Sequence, residues 1–376
     1  MASDVPKSDD TAWLGRNWKY LVVIWTQIVW AILVFIAFYS GKPIPDQPPV
    51  IVFQPAPNQF TELGVPDYTP TTGWVKDPKV IEVNLDEEKT LQFRNTPAGK
   101  AVLGDEDVYL WKAVRKVNNK GPPWYPNINQ GQVGSCVGCG TKHAVDVCAA
   151  MQIVNGKRET WKPASAEVIY GGSRVEIGGG RINGDGSVGA WAKDFLGKYG
   201  VVPMEVVEGI DLTTYSAARA RDYGRRGVPD KLEPLAKEHP VKGAALVKSW
   251  TDVKRSIQQA YPVMVCSDQG FTMTRDKDGF CNPQGTWNHC MAIIGFRNGP
   301  RPGGFILNSW GDQAHTGPVW PSDAPVAGFW ADADVIDRMV RQGDSFALSD
   351  MVGFPARKVP DWFVARPTRA LFAFAQ

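Results

Sequence analysis

The sequence predicts an α+β domain carried behind one transmembrane helix, on three observations. Residues 20–41 form an unbroken run without charge, almost wholly apolar. Cys136 opens a stretch in which Ala144, Val147, Met151 and Val154 recur at steps of three and four, which is helical spacing. Far downstream, the apolar runs Cys290–Phe296 and Gly304–Asn308 have the length and bounding glycines of two consecutive strands.

The bulk composition sets the frame. In 376 residues, 43% apolar and 21% charged content is that of a globular protein with a sizeable core. A net charge of +2 gives no reason to propose nucleic acid as a partner. Six cysteines are too few for a disulfide-dense scaffold, and 38 glycines with 29 prolines predict long loops.

The first element is the apolar run YLVVIWTQIVWAILVFIAFYSG, residues 20–41, in which Gln27 is the only strongly polar side chain. A bilayer core needs ~20 mostly apolar residues, whereas the core of a cleaved signal peptide is shorter and ends at a small-residue site that is missing here. Lys7, Arg16 and Lys19 precede the run and only Lys42 follows closely. That bias predicts a cytoplasmic tail over 1–19, a retained anchor in contact with lipid, and an extracytoplasmic remainder. Residues 42–104 begin Pro-rich (KPIPDQPPVIVFQPAPNQF) and read as a tether that also fits a pro-segment. A folded domain is expected over 105–358, with a tail over 359–376.

The chemistry concentrates around Cys136. Pro122, Pro123 and Pro126 bring the chain in as a loop, and the cysteine follows at a helix start. Unpaired N–H groups and the helix dipole there favour thiolate, the attacking species. Gln130, six residues upstream, can present its amide N–H to an oxyanion forming beside the sulfur. Of four histidines, His143 lies ~10.5 Å along the same helix, too far for a hydrogen bond to the sulfur. His239 falls in the charged turn KEHPVKG and His315 in the loop DQAHTGP. His289 stands at the entry of the buried strand 290–296, and Asn308 ends the next strand. Pairing of these strands would bring the Asn308 oxygen against the His289 ring and fix its tautomer.

The ordered set Q-G-x-x-G-S-C (130–136), a helix, N-H (288–289) before a strand, and N-S-W-G (308–311) resembles the papain-like (C1-type) cysteine peptidases. The separations agree: 153 residues from Cys136 to His289 and 19 more to Asn308. The resemblance implies two lobes, one helical and one an antiparallel barrel-like sheet, with a cleft between them. It implies Cys136 as nucleophile, His289 as general acid/base, Asn308 as its orienter and Gln130 as oxyanion donor. Trp310 would shield the His–Asn contact, and Gly186 and Ser187 would edge a cleft for peptide or protein substrate. Ser165 is expected to cap a helix over 166–170, and Tyr261–Cys266 to open the sheet lobe. The local signature departs from the family pattern: V-G-S-C-V puts Val133 where a disulfide cysteine normally stands and Val137 where an aromatic follows the nucleophile.

Other readings are weaker. Cys136-Val137-Gly138-Cys139 is a C-x-x-C but lacks the βαβ pattern of a redox motif. Cys136, Cys139, His143 and Cys148 on one helix face different directions and do not close a metal tetrahedron. The glycines at 178–180, 184 and 186 lack the Lys-Ser/Thr of a phosphate loop, and Asp332, Asp334 and Asp337 lack calcium-loop spacing. No cofactor or metal is therefore expected. Cys148, Cys266, Cys281 and Cys290 are core thiols or form one or two disulfides. The expected activity is amide hydrolysis, against a non-catalytic papain-like module or a cysteine amidase acting on cell wall.

Overall fold

In this computed structural model, residues 72–118, 125–357 and 359–360 are described, with 364–365 described by backbone alone. The expected tail 1–19, transmembrane run 20–41 and tether as far as 71 lie outside the described residues, as does most of 359–376. No helix among the described residues is long and apolar enough to cross a membrane.

The helices are α1 (Pro78–Leu85), α2 (Trp111–Val117), α3 (Cys136–Val154), α4 (Ala166–Gly172), α5 (Gly189–Lys198), α6 (Ala217–Arg226), α7 (Glu233–Glu238), α8 (Trp250–Gln258) and α9 (Ala333–Val340). The strands are β1 (Asp107–Tyr109), β2 (Val206–Val207), β3 (Ile210–Asp211), β4 (Gly243–Leu246), β5 (Val263–Phe271), β6 (Pro283–Arg297), β7 (Gly303–Leu307), β8 (Gly328–Asp332), β9 (Phe346–Ser349) and β10 (Val364–Ala365). All of them except β2 and β3 join in one antiparallel sheet. The long strand β6 is its spine, pairing with β5, β1 and β7.

Two large apolar clusters hold the described residues together. The larger joins the sheet to α3 through Val147, Met151, Val265, Ile293, Phe305 and Trp330 among others. The smaller, with Val168, Phe195, Leu212, Tyr223 and Leu232, lies among helices α4 to α7. Helix α3 lies in the larger core and also runs against helix α4, and its glycines explain how. A Cβ on Gly140 would lie 2.7 Å from the Cys290 carbonyl oxygen, and one on Gly138 would lie 2.5 Å from that of Ala166. Only side-chain-free positions let the helix pass this close between strand β6 and helix α4.

Local signals act as the sequence predicts. Ser165 caps α4 by accepting from the Val168 N–H, which satisfies one of the orphan donors of a helix start. The expected strand at 261–266 is β5, shifted by two residues and extended to Phe271. The run EDVYLWKAVRKV, expected as short strand or helix, contains both, β1 and α2.

Residues 72–104, read from the sequence as tether or pro-segment, pack within the same unit as the sheet and helices. Asp77 caps α1 by accepting from the N–H groups of Lys79 and Val80. Phe93 is buried edge-on against Tyr261 and Phe354. Trp74 is 97% buried, with 3% of its surface exposed.

Candidate active site

The register of β6 against β7 sets Ala292 opposite Leu307. That leaves His289 and Asn308 at the same end of the two strands. Their side chains meet: His289 Nε2 lies 2.8 Å from Asn308 Oδ1. The Ser309 backbone N–H also donates to Oδ1, over 2.7 Å. A backbone N–H can only donate, so the atom facing it is the amide oxygen. His289 Nε2 must then carry a hydrogen, and in the neutral ring Nδ1 is a bare lone pair. Nδ1 is buried and has no partner among the described residues. Burial drives the His289 pKa down to about 4, the bond to Asn308 opposing it, so the ring is neutral at physiological pH.

The other end of the same amide finds a residue that the sequence reading set aside. Asn308 Nδ2 donates to His315 Nε2 over 3.0 Å. His315 is buried, its Nδ1 lies 3.8 Å from Cys281 Sγ, and its ring packs 4.7 Å from that of Phe329. Burial first, then the charge of Arg275 and the proximity of His289, push its pKa down to about 3. It stays neutral and keeps Nε2 as an acceptor. Nothing periodic marks His315 in the loop, so no sequence signal pointed to it. Trp310 stacks on the His289 ring at 4.6 Å, and Trp287 stands edge-on to Trp310 at 4.6 Å.

Cys136 is the first residue of α3 and is fully buried. The backbone N–H groups of Cys290 and Val137 lie near enough to favour its ionised form, which sets the sulfur beside the residue that follows His289. Here the sequence expectation needs correcting. Burial, reinforced by the neighbouring Cys290, lifts the Cys136 pKa well above the usual thiol value, and the two N–H groups only oppose this. In this closed state desolvation outweighs the helix start, and the sulfur is a thiol. Gln130 is clipped to the Asn308 strand end: its N–H donates to Ser309 O over 2.8 Å, and its Oε1 accepts from Ser309 Oγ over 2.7 Å. Its Nε2 donates to Val133 O over 3.0 Å, so one of its amide hydrogens is held by the loop that leads to Cys136.

Gly186 and Ser187 form a turn pinned from behind. The Gly186 N–H donates to the Tyr170 hydroxyl over 3.0 Å, and Ser187 Oγ meets Ser173 Oγ at 2.7 Å. The face of Ser187 toward Asn288 is bridged by residues 73–75. The N–H groups of Gly73 and Trp74 donate to Asn288 O over 3.2 and 2.8 Å, Ser187 N–H donates to Gly73 O over 2.8 Å, and Val75 N–H donates to Ser187 O over 2.8 Å. A Cβ on Gly73 would fall 2.1 Å from Gly134 O, so this backbone also lies directly on the loop leading to Cys136. The Trp74 indole N–H donates to Asp344 Oδ2 over 2.7 Å. Asp344 further accepts from the N–H groups of Gly189 and Ala190, each over 2.7 Å, and burial pushes its pKa up to about 6. The segment thereby bridges the residue before His289 to the Gly186–Ser187 turn.

A helical lobe against an antiparallel sheet lobe, with these side chains at the junction, is the papain-like fold. Among solved structures the chain is similar to xylellain, a cysteine protease from Xylella fastidiosa. The two are 16% identical over 75% of this chain and 96% of xylellain, with a TM-score of 0.52. Similarity also extends to digestive procathepsin L 3 of Tenebrio molitor larval midgut, at 15% identity over 74% of this chain and 83% of that one, with a TM-score of 0.45. No protein-family model and no curated protein matches the sequence.

Proposed function

We propose that this chain is a cysteine peptidase that hydrolyses peptide bonds through Cys136, His289 and Asn308. The observation that carries the proposal is the fixed amide of Asn308. It forces the hydrogen of neutral His289 onto Nε2 and leaves a buried Nδ1 lone pair without a partner among the described residues, one residue from Cys290, whose backbone N–H favours the ionised Cys136 sulfur. A ring prepared in this way is a base for the thiol. Once residues 73–75 leave the groove, the Cys136 sulfur attacks the carbonyl carbon while His289 Nδ1 takes its proton. The oxyanion is held by the Cys136 backbone N–H and the Gln130 amide. Collapse of the tetrahedral adduct breaks the C–N bond as His289 protonates the leaving amine. Water, deprotonated by His289, then releases the acyl group from the thioester. The same reading tethers the enzyme through residues 20–41, with its N-terminus cytoplasmic and the catalytic unit outside.

The test is a fluorogenic peptide library and an epoxide thiol probe applied to the full chain under reducing conditions. Wild type should cleave peptides and carry the probe on Cys136, and Cys136→Ala should do neither while keeping its Tm. A chain that stays unlabelled and inactive even after residues 73–75 are displaced would end the hydrolase reading. Topology is checked by reporter fusions at each end of 20–41, which should report opposite compartments.

A further inference from the structure

We propose that Cys266 and Cys290 are a modification site, joined as a disulfide in the oxidised protein. The two residues are direct partners in the antiparallel pairing of β5 with β6. The Cys266 N–H donates to Ser345 Oγ over 3.2 Å, and its carbonyl accepts from the same hydroxyl over 3.4 Å. In a strand the N–H and C=O of one residue point the same way, so both point to the Ser345 side, away from β6. Cys266 and Cys290 therefore form a non-hydrogen-bonded pair, whose Cα atoms in antiparallel sheets lie ~4.5 Å apart with side chains close. That separation is within the range a disulfide spans. The sulfurs lie 2.7 Å from each other, closer than two thiols rest. Both residues are fully buried under the start of α3, where Gly140 presses on the Cys290 carbonyl.

The remaining four sulfurs have other company. Cys136 opens helix α3, Cys139 lies 3.8 Å from Ser135 Oγ, Cys148 lies 4.0 Å from Leu348 O, and Cys281 lies 3.8 Å from His315 Nδ1. Burial drives the Cys266 thiol far above its usual pKa, so exchange belongs to folding, before α3 covers the strands. The oxidant is a disulfide, R–S–S–R. One thiolate of the pair attacks it and expels R–S⁻. The second thiolate attacks the protein-bound sulfur of the mixed disulfide, forms the Cys266–Cys290 bond and expels the second R–S⁻. The two protons lost by the cysteines end on two R–SH. The product staples β5 to β6 one residue from His289, and it needs no assumption about catalysis.

The experiment folds the full chain with a mixture of oxidised and reduced glutathione, denatures it and alkylates it without reduction. Of the six cysteines, four should be alkylated. Trypsin should yield a linked pair of peptides, 256–275 with 278–297. Fragmentation should find alkylated Cys281 and crosslinked Cys290 within 278–297. Reduction should lower the wild-type Tm by roughly 6 °C, as expected for opening a loop of ~25 residues in a domain of this size. Cys290→Ala should show no Tm change on reduction. Six alkylated cysteines in the oxidised sample, or a crosslink through Cys136, Cys139, Cys148 or Cys281, would overturn the assignment.

Discussion

Replacing His315 with Phe tests whether the amide of Asn308 owes its orientation to the ring behind it. Phe fits the space, because the His315 ring already packs against Phe329 at 4.7 Å. What it removes is the acceptor for Asn308 Nδ2, 3.0 Å away. The amide cannot recover by turning over, since that would point its NH₂ at the Ser309 N–H and at the hydrogen on His289 Nε2. A buried donor left without a partner costs ~1–3 kcal/mol. The folded protein meets that cost either by keeping a strained amide or by letting it drift from His289. If drift misplaces the base, each ~1.4 kcal/mol is tenfold in rate, so kcat should fall roughly 10- to 100-fold. KM should hold, because His315 lies behind Asn308 and away from the groove. His315→Gln, which restores an acceptor, should recover most of the lost turnover. The assay is kcat and KM on a fluorogenic peptide, with the folded fraction of each variant fixed from its thermal melt. A His315→Phe enzyme with wild-type kcat would refute the reasoning, and so would a His315→Gln enzyme as impaired as the Phe variant.

Three further outcomes follow from the same packing. Trp74→Ala removes a buried indole, which should destabilise the domain by ~3–5 kcal/mol and speed alkylation of Cys136 in molecules that remain folded; an unchanged alkylation rate would mean that residues 73–75 do not guard the thiol. Asp344 has a folded pKa raised from 3.8 to about 6 by burial. The stability that this shift confers is full below the unfolded value and is lost as pH rises through about 6, a change of ~3 kcal/mol. Asp344→Asn should therefore flatten the fall of Tm between acid and neutral pH, and an identical slope in the variant would contradict that. Lys142 and Asp146 form an ion pair with both side chains fully buried, and Asp146 also accepts from the Ala164 N–H over 2.7 Å. Lys142→Met should cost ~3–5 kcal/mol in chemical denaturation by stranding the carboxylate; a loss under ~1 kcal/mol would show that Asp146 tolerates protonation there at little cost.

The amino-acid sequence determines the local pieces of this protein because short-range physics encodes them. Apolar spacing after Cys136 makes the helix, Ser165 makes a cap, and the alternation of glycines and apolar runs makes β6 and β7. The contact of His289 with Asn308 was legible too, since two consecutive strands joined by a short connection have few ways to pair. The reading of the run 20–41 as a membrane anchor comes from the sequence alone, because that run lies outside the described residues. Tertiary structure decided what spacing cannot express. His315 joins Asn308 only because a loop without periodicity folds back under the strand end. Residues 73–75 are held by backbone hydrogen bonds to Asn288 and Ser187 and by a fit at Gly73 that leaves no room for a side chain, and neither shows in the periodicity of the segment. The protonation of Cys136 follows from how much water the folded chain removes around it, and desolvation sums over neighbours brought from distant parts of the sequence. A helix start is local and favours the thiolate; burial is not local, and in this fold burial prevails.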